Sequence, residues 1–218
     1  MEKDLSKYER FIFDLDRTLL FGNFCLLEED YFKDALSLDE IQGKKFVSDL
    51  RPYLAEYEET FPRYKIKTLS AFLSIKYDMY ISPEVIEGWI DLSCDTKDIV
   101  ESSAIELFED LKSKGKDSAV LTNFFEKTQV ARLKNSGLLP YITQVYSGED
   151  YVKPTKEAYL CSTGNFDIDK CIMIGDNYEK DYLAPRESDM YSILYDSEGI
   201  MPKKDDVIKS LIKLKGRY

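Results

Sequence analysis

The sequence predicts an α/β fold: a parallel sheet covered on both faces by helices and interrupted by a helical insert. Three observations lead there. Short apolar strands alternate with amphipathic helical stretches, the pattern of a parallel sheet with crossover helices. Polar motifs stand at the ends of four of those stretches, where open parallel sheets place their ligand sites. About 75–80 residues separate the first strand from the second, too many for a simple crossover or a structureless loop.

Strands are expected over 11–14, 117–122, 143–147, 170–174 and 191–195. The segment 102–114 carries Ala104, Ile105, Leu107, Phe108 and Leu111 at helical spacing and stops at Gly115, a residue suited to the left-handed end of a helix. The segment 125–136 repeats that design before Gly137. Within the insert, Ser37-Leu38-Asp39-Glu40 has capping-box spacing, and Ser82-Pro83-Glu84 offers an N-cap followed by proline at the first helical position. Leu69, Phe72, Leu73 and Tyr77 share one helical face, as do Val85, Ile86, Trp89 and Ile90. Pro52 and Pro62 predict breaks. The expected division is a core of 1–20 and 95–218 and a helical insert of 21–94.

Composition narrows the chemistry. The chain has 218 residues, enough for one core with a smaller insert, and its 44% apolar and 33% charged content is that of a globular domain. No apolar run approaches the roughly 20 residues of a membrane span. The first ten residues mix charges without an apolar core, so a cytoplasmic location is expected. Cys25, Cys94, Cys161 and Cys171 are far apart and form no Cys-x-x-Cys pair, which predicts buried free thiols. Histidine is absent, excluding Ser-His-Asp triads, histidine-ligated zinc and imidazole acid–base catalysis. A net charge of −11 argues against nucleic-acid polymers and anionic membranes as partners. A site for an anionic substrate must therefore prevail locally, through a metal, a lysine and aimed backbone amides.

Four motifs carry such a site. In Asp14-Leu15-Asp16-Arg17-Thr18, period-two geometry puts two carboxylates on one side, about 7 Å apart at roughly 3.3 Å per residue. That spacing suits a phosphorus centre, with one carboxylate to attack and the other to serve the leaving oxygen; in isolation it is a polar strand end. Leu121-Thr122-Asn123 offers a hydroxyl and free amides, or a simple helix cap. Lys153 stands before Pro154; most lysines are solvated surface groups. Gly175-Asp176-Asn177, with Asp181 beyond it, is either a turn or a set of oxygen ligands for a hard cation such as magnesium.

Arriving in this order at successive strand ends, the four motifs resemble those of the haloacid dehalogenase-like (HAD) superfamily, and the likeness covers essentially the whole core. The resemblance implies a Rossmann-like HAD core with a helical cap domain, and a Mg2+-dependent phosphatase of small phosphorylated metabolites. It implies that Asp14 attacks phosphorus to form an aspartyl-phosphate, and that Asp16 protonates the leaving oxygen and then activates water. Thr122 and amides near Asn123 would hold phosphoryl oxygens, and Lys153 would neutralise nucleophile and phosphate. Asp176 would ligate the metal with Asp14 and the Asp16 carbonyl, and Asp181 would support the metal or Lys153 from behind. Asp16 favours phosphoryl transfer over dehalogenation, since family dehalogenases lack this second aspartate. A phosphosugar mutase and a phosphate-binding regulator without turnover share the pattern.

The segment from Thr122 to Leu138 is similar to the pyrimidine nucleotidase branch, which brings nucleoside monophosphates among the implied substrates. Three positions depart from the family pattern: Arg17 and Asp189 stand where glycine is frequent, and Phe21-Gly22-Asn23 replaces a more polar stretch. Arg17 is expected to be an exposed loop residue, and Asp189 to affect only a helix end. The insert's aromatics, Tyr31, Phe32, Phe46, Tyr53, Tyr57, Phe61, Tyr64, Phe72, Tyr77, Tyr80 and Trp89, are expected to form its core, with one or two lining the cleft.

Overall fold

The computed structural model describes residues 3–22, 25–202, 204 and 206–218, without the side chains of Cys25 and Leu26. Asn23 and the Cys25 thiol, named above, lie outside the described residues. The first strand, β1 (Arg10–Phe13), is buried along its whole length, and the chain then forms a two-residue strand, β2 (Leu20–Phe21). Four helices follow: α1 (Cys25–Leu36), α2 (Glu40–Thr60), α3 (Ile66–Tyr77) and α4 (Pro83–Cys94). The return strand β3 (Ile99–Val100) pairs antiparallel with β2, setting Leu20 against Val100 and Phe21 against Ile99. The chain thus leaves and re-enters the core through one short ribbon.

After it come α5 (Ala104–Ser113), β4 (Asp117–Leu121), α6 (Glu126–Asn135), β5 (Gln144–Tyr146), α7 (Lys156–Ser162) and β6 (Cys171–Gly175). A π-helical turn over Tyr178–Leu183 leads to α8 (Ala184–Glu187), β7 (Tyr191–Tyr195) and β8 (Val207–Ile208). The six-stranded sheet runs β5-β4-β1-β6-β7-β8, and every pairing in it is parallel. Phe13 lies opposite Val120 of β4 and Ile174 of β6. That register brings Asp14, Thr122 and Asp176 to one edge of the sheet.

Period-two alternation sorts the strand residues between two cores. Phe11, Phe13, Val120, Ile172 and Ile174 pack with Leu107, Phe108 and Leu111 of α5. Ile12, Ala119, Leu121 and Met173 pack on the other face with Ala158 and Tyr159 of α7. The helical insert has a core of its own, including Phe32, Phe46, Leu50, Tyr57, Leu69, Leu73, Ile86 and Trp89, which Phe125 and Val152 join from outside it. Tyr80 departs from the aromatic expectation: it is exposed, while the other insert aromatics belong to that cluster or pack against it.

Two local expectations in the insert are corrected. The cap of α2 is Asp39, whose Oδ1 accepts from the Ile41 and Gln42 amides at 2.9 and 2.8 Å while the Asp39 amide donates to Gln42 Oε1 at 3.0 Å. Ser37 is spent on ending α1: it adopts φ 54°, and the Leu38 amide bonds back to the Lys33 carbonyl at 2.9 Å, a left-handed terminus incompatible with the extended backbone of an N-cap. Pro52 does not break its helix, since α2 continues to Thr60. The buried side chains Phe46, Leu50, Leu54 and Tyr57 fall on both sides of it, and their packing outweighs the one lost backbone bond. Pro62 does follow the end of α2, and Pro83 occupies the first turn of α4 behind Ser82.

Gly115 and Gly137 close α5 and α6 with φ 67° and 76°, and Asp189 takes φ 67°. Cys171 is buried, whereas Cys94 and Cys161 are half-buried free thiols, because both sit on helix faces that meet solvent. No described helix is long and apolar enough to cross a membrane.

Candidate active site

Asp14 is the first residue beyond β1, and its amide donates to the Ile174 carbonyl at 2.8 Å. Its carboxylate is gripped from two sides. Lys153 Nζ lies 2.6 Å from Oδ1, and Thr18 Oγ1 donates to Oδ2 at 3.2 Å. The same Nζ reaches Asp181 Oδ1 at 2.6 Å, and the Lys153 side chain is only 4% exposed. The loop carrying Lys153 is fixed by Asn123: the Lys153 amide donates to Asn123 Oδ1 at 2.8 Å, and Asn123 Nδ2 donates back to the Lys153 carbonyl at 3.2 Å. The Asn123 side chain is therefore a brace for Lys153.

Asp181 is held as tightly. Its Oδ2 accepts from the Asn177 amide at 3.1 Å, while Asn177 Oδ1 caps the turn by accepting from the Glu179 and Lys180 amides. Gly175 is required here, since a Cβ on it would stand 2.5 Å from the Asp181 carboxyl carbon. Asp176 is more open and receives Arg17 Nε at 3.3 Å.

One carboxylate oxygen each from Asp14, Asp176 and Asp181 lies within 4.8 Å of the others. This all-oxygen donor set fits a hard divalent cation. Both oxygens of Asp181 are engaged, as are those of Asp14, whereas Asp176 is the most open of the three. Burial pushes the Asp14 carboxyl up to about 8 against the pull of Lys153, and burial with the Asp181 charge pushes Asp176 up to about 6. Burial opposes the Lys153 ammonium, but Asp14 and Asp181 outweigh it and hold its pKa above the ordinary value.

Asp16 does not continue the strand. The Leu19 and Leu20 amides both bond to the Leu15 carbonyl, at 3.0 and 2.9 Å, so the chain coils into a tight turn around buried Leu15. Arg17 sits in that turn at φ 62°. Its side chain is 72% exposed, as expected, yet it pairs with Asp176 and approaches Glu198. The turn aims Asp16 at α6, where its Oδ1 meets Arg132 Nη2 at 2.7 Å. Thr122 is buried at the end of β4; it accepts from Gln129 Nε2 at 3.2 Å and does not cap α6, which Phe125 precedes.

Thr18, Asp98, Gln129 and Arg132 were not anticipated as site residues. Arg132 and Asp98 form a buried pair through two bonds of 3.0 and 2.8 Å. The available signal was in α6 itself, whose buried face carries Thr128, Gln129 and Arg132 beside Leu133, an unusually polar set for a helix against a sheet.

A cavity of ≈ 430 Å³ opens beside Asp16, Arg17 and Asn123 and is walled by Tyr64, Trp89, Arg51 and Glu28 of the insert. Its size is that of a small-ligand site. Glu28 is almost fully buried; it accepts from Arg51 Nη2 through both oxygens, at 2.8 and 2.7 Å, and from Trp89 Nε1 at 3.0 Å.

Together, the parallel sheet and the carboxylate–lysine cluster at its carboxyl edge define an α/β protein whose candidate site is built on aspartates. Residues 8–189 match the haloacid dehalogenase-like hydrolases, and the chain belongs to that family. Over 97 residues it is 28% identical to a ribulose-1,5-bisphosphate 5-phosphatase from Halopiger xanaduensis, a match covering 43% of this chain and 41% of that relative. The match thus spans about two fifths of the relative's length. Three solved structures share the fold over 95% of this chain and 96% of theirs: a HAD phosphatase from Thermococcus onnurineus (TM-score 0.69, 20% identity), the magnesium-bound HAD-hydrolase YfnB from Bacillus subtilis (0.68, 20%) and the L-2-haloacid dehalogenase from Xanthobacter autotrophicus (0.67, 14%).

Proposed function

We propose that the protein is a Mg2+-dependent phosphatase that hydrolyses a small phosphorylated metabolite through an aspartyl-phosphate on Asp14. The observation that carries this reading is the placement of Lys153 Nζ at 2.6 Å from both Asp14 and Asp181, within a carboxylate cluster that also includes Asp176. Asp14 attacks phosphorus, the bond from phosphorus to the ester oxygen breaks, and the Asp16 carboxyl proton passes to that oxygen, releasing an alcohol. Water then attacks phosphorus, its proton passes to Asp16, and the Asp14–phosphorus bond breaks to free inorganic phosphate. Lys153 and the amides beyond Thr122 neutralise the phosphoryl oxygens. Asp14, Asp176 and the Asp16 carbonyl, with Asp181 behind them, would hold magnesium, which would supply further charge stabilisation.

In this reading residues 21–94 are a cap over the core of 1–20 and 95–218. Supporting it, the Tyr64 amide donates to Gly148 at 2.7 Å and the Val152 amide to Pro62 at 2.9 Å, and Glu58 pairs with Lys180 at 2.6 Å. Half-buried Phe124 on the cavity wall, backed by the buried rings of Tyr64 and Trp89, gives a planar group such as a nucleobase a surface to stack on, which supports a nucleoside monophosphate as substrate. The net charge of −11 supports a free metabolite in the cytoplasm over nucleic-acid polymers or membranes as partner.

The test is phosphate release from a panel of phosphorylated metabolites with and without Mg2+. Turnover is expected to need the metal and to vanish in Asp14→Asn; an undiminished rate in that variant sinks the mechanism. A mutase would need a sugar bisphosphate primer and yield an isomer, and a regulator would bind beryllium fluoride yet release nothing.

A further inference from the structure

We infer that Arg132 is the positioning residue for Asp16, fixing the acid–base carboxylate from the opposite wall of the site; the inference rests on the phosphatase reading above. The Arg132 side chain is 2% exposed, as is that of its partner Asp98. Nε and Nη2 bond the two Asp98 oxygens at 3.0 and 2.8 Å, a two-point clamp that sets the plane of the guanidinium. Nη2 also meets Asp16 Oδ1 at 2.7 Å. Nη1 donates to Gln129 Oε1 at 2.9 Å, which fixes the direction of that amide. Gln129 Nε2 must then donate onward, to Thr122 Oγ1 at 3.2 Å and to the Asn123 carbonyl at 2.8 Å.

One guanidinium therefore ties Asp16 to the end of β4, the strand end assigned to the phosphoryl oxygens. Asp16 needs such a tie. It stands in a turn rather than a strand, and its side chain is 48% exposed, so its own backbone leaves the carboxylate free to rotate. Asp98, one residue before β3 on the chain's return from the insert, anchors the far side. A lysine could not replace this arrangement, because an ammonium on a flexible stem has no plane to clamp.

The test compares phenyl phosphate with 2,4-dinitrophenyl phosphate, two substrates of similar shape whose leaving oxygens differ in their need for a proton. Single-turnover release of the phenol is measured, with Mg2+, for Arg132→Lys, Asp98→Asn, Asp16→Asn and the double variant Asp16→Asn/Arg132→Lys. Arg132→Lys and Asp98→Asn are expected to slow phenyl phosphate at least about tenfold, with the dinitrophenyl ester and KM nearly unchanged. In the Asp16→Asn background, Arg132→Lys is expected to add nothing. Equal losses on both esters, or an additive loss in the double variant, would overturn the proposal and leave Arg132 a structural role alone. Should Arg132→Lys fail to fold, Asp98→Asn decides by the same comparison. Failure of the phosphatase reading is separately visible, as an Asp14→Asn protein that releases phenol at the unsubstituted protein's rate.

Discussion

Lys153 Nζ lies 2.6 Å from Asp14 Oδ1 in a pocket that leaves the lysine side chain 4% and the aspartate side chain 9% exposed. An ion pair this buried is costly to break, because removing one partner strands the other away from water. Lys153→Met would strand the Asp181 carboxylate, which shares the same ammonium, and leave the buried Asp14 carboxyl without its partner. We expect a loss of about 3–5 kcal/mol at neutral pH, read by urea unfolding, and a fall in turnover of at least about a hundredfold. A variant of unchanged stability would show that the cluster is more hydrated than its burial indicates.

The Asp14 carboxyl gives a pH signature in the metal-free protein. Its pKa rises from 3.8 to about 8 on folding, burial being the main cause. The folded state therefore holds this proton more tightly than the unfolded state, so the stability associated with Asp14 is complete below pH 3.8 and is lost as pH rises through about 8. Asp176, raised to about 6, adds a loss of the same sign at lower pH. In EDTA, Asp14→Asn is expected to melt increasingly above the unsubstituted protein between pH 5 and pH 8. Mg2+ should shrink or reverse the gap, and a pH-independent gap would contradict the assignment.

Much of this was legible in the sequence, and the failures have physical causes. The five strands of 11–14, 117–122, 143–147, 170–174 and 191–195 correspond to β1 and β4–β7, because buried parallel strands leave continuous apolar runs. The strands β2, β3 and β8 escaped notice, since two-residue strands carry no periodicity. The motifs of Asp14, Thr122, Lys153 and Asp176 could be found because each follows a recognisable strand or loop. The clamp on Asp16 could not: Asp98 and Arg132 are 34 residues apart, and only the packing of α6 against the return from the insert brings them together.

Gly175 offers a test of the cluster that alters none of its charged groups. A Cβ there would lie 2.5 Å from Asp181 Cγ and Oδ2, too close for any contact, so Gly175→Ala must displace the Asp181 carboxylate or shift β6. Overpacking of this kind costs about 1–3 kcal/mol. The accompanying effect is on the metal: the melting shift produced by Mg2+ should be reduced or lost, because Asp181 can no longer brace Lys153 and the cation ligands together. A full Mg2+ shift in a stably folded Gly175→Ala protein would place the metal away from Asp181.

Trp89 is the chain's single tryptophan, and it stands on the cavity wall with its Nε1 bonded to buried Glu28 at 3.0 Å. Its indole also packs edge-on to Phe124 from the core at 4.9 Å between ring centres, so its emission reports the place where insert and core meet. In Asp14→Asn, which should bind substrate without consuming it, a nucleoside monophosphate is expected to quench Trp89 in the presence of Mg2+, whereas inorganic phosphate alone should not. Trp89→Phe, which keeps the ring but loses the bond to Glu28, is expected to raise KM severalfold with kcat retained, the pattern of lost uniform binding. Quenching by phosphate alone would put the indole's sensitivity at the phosphoryl end of the site, and an unaltered KM would place the body of the substrate outside this cavity.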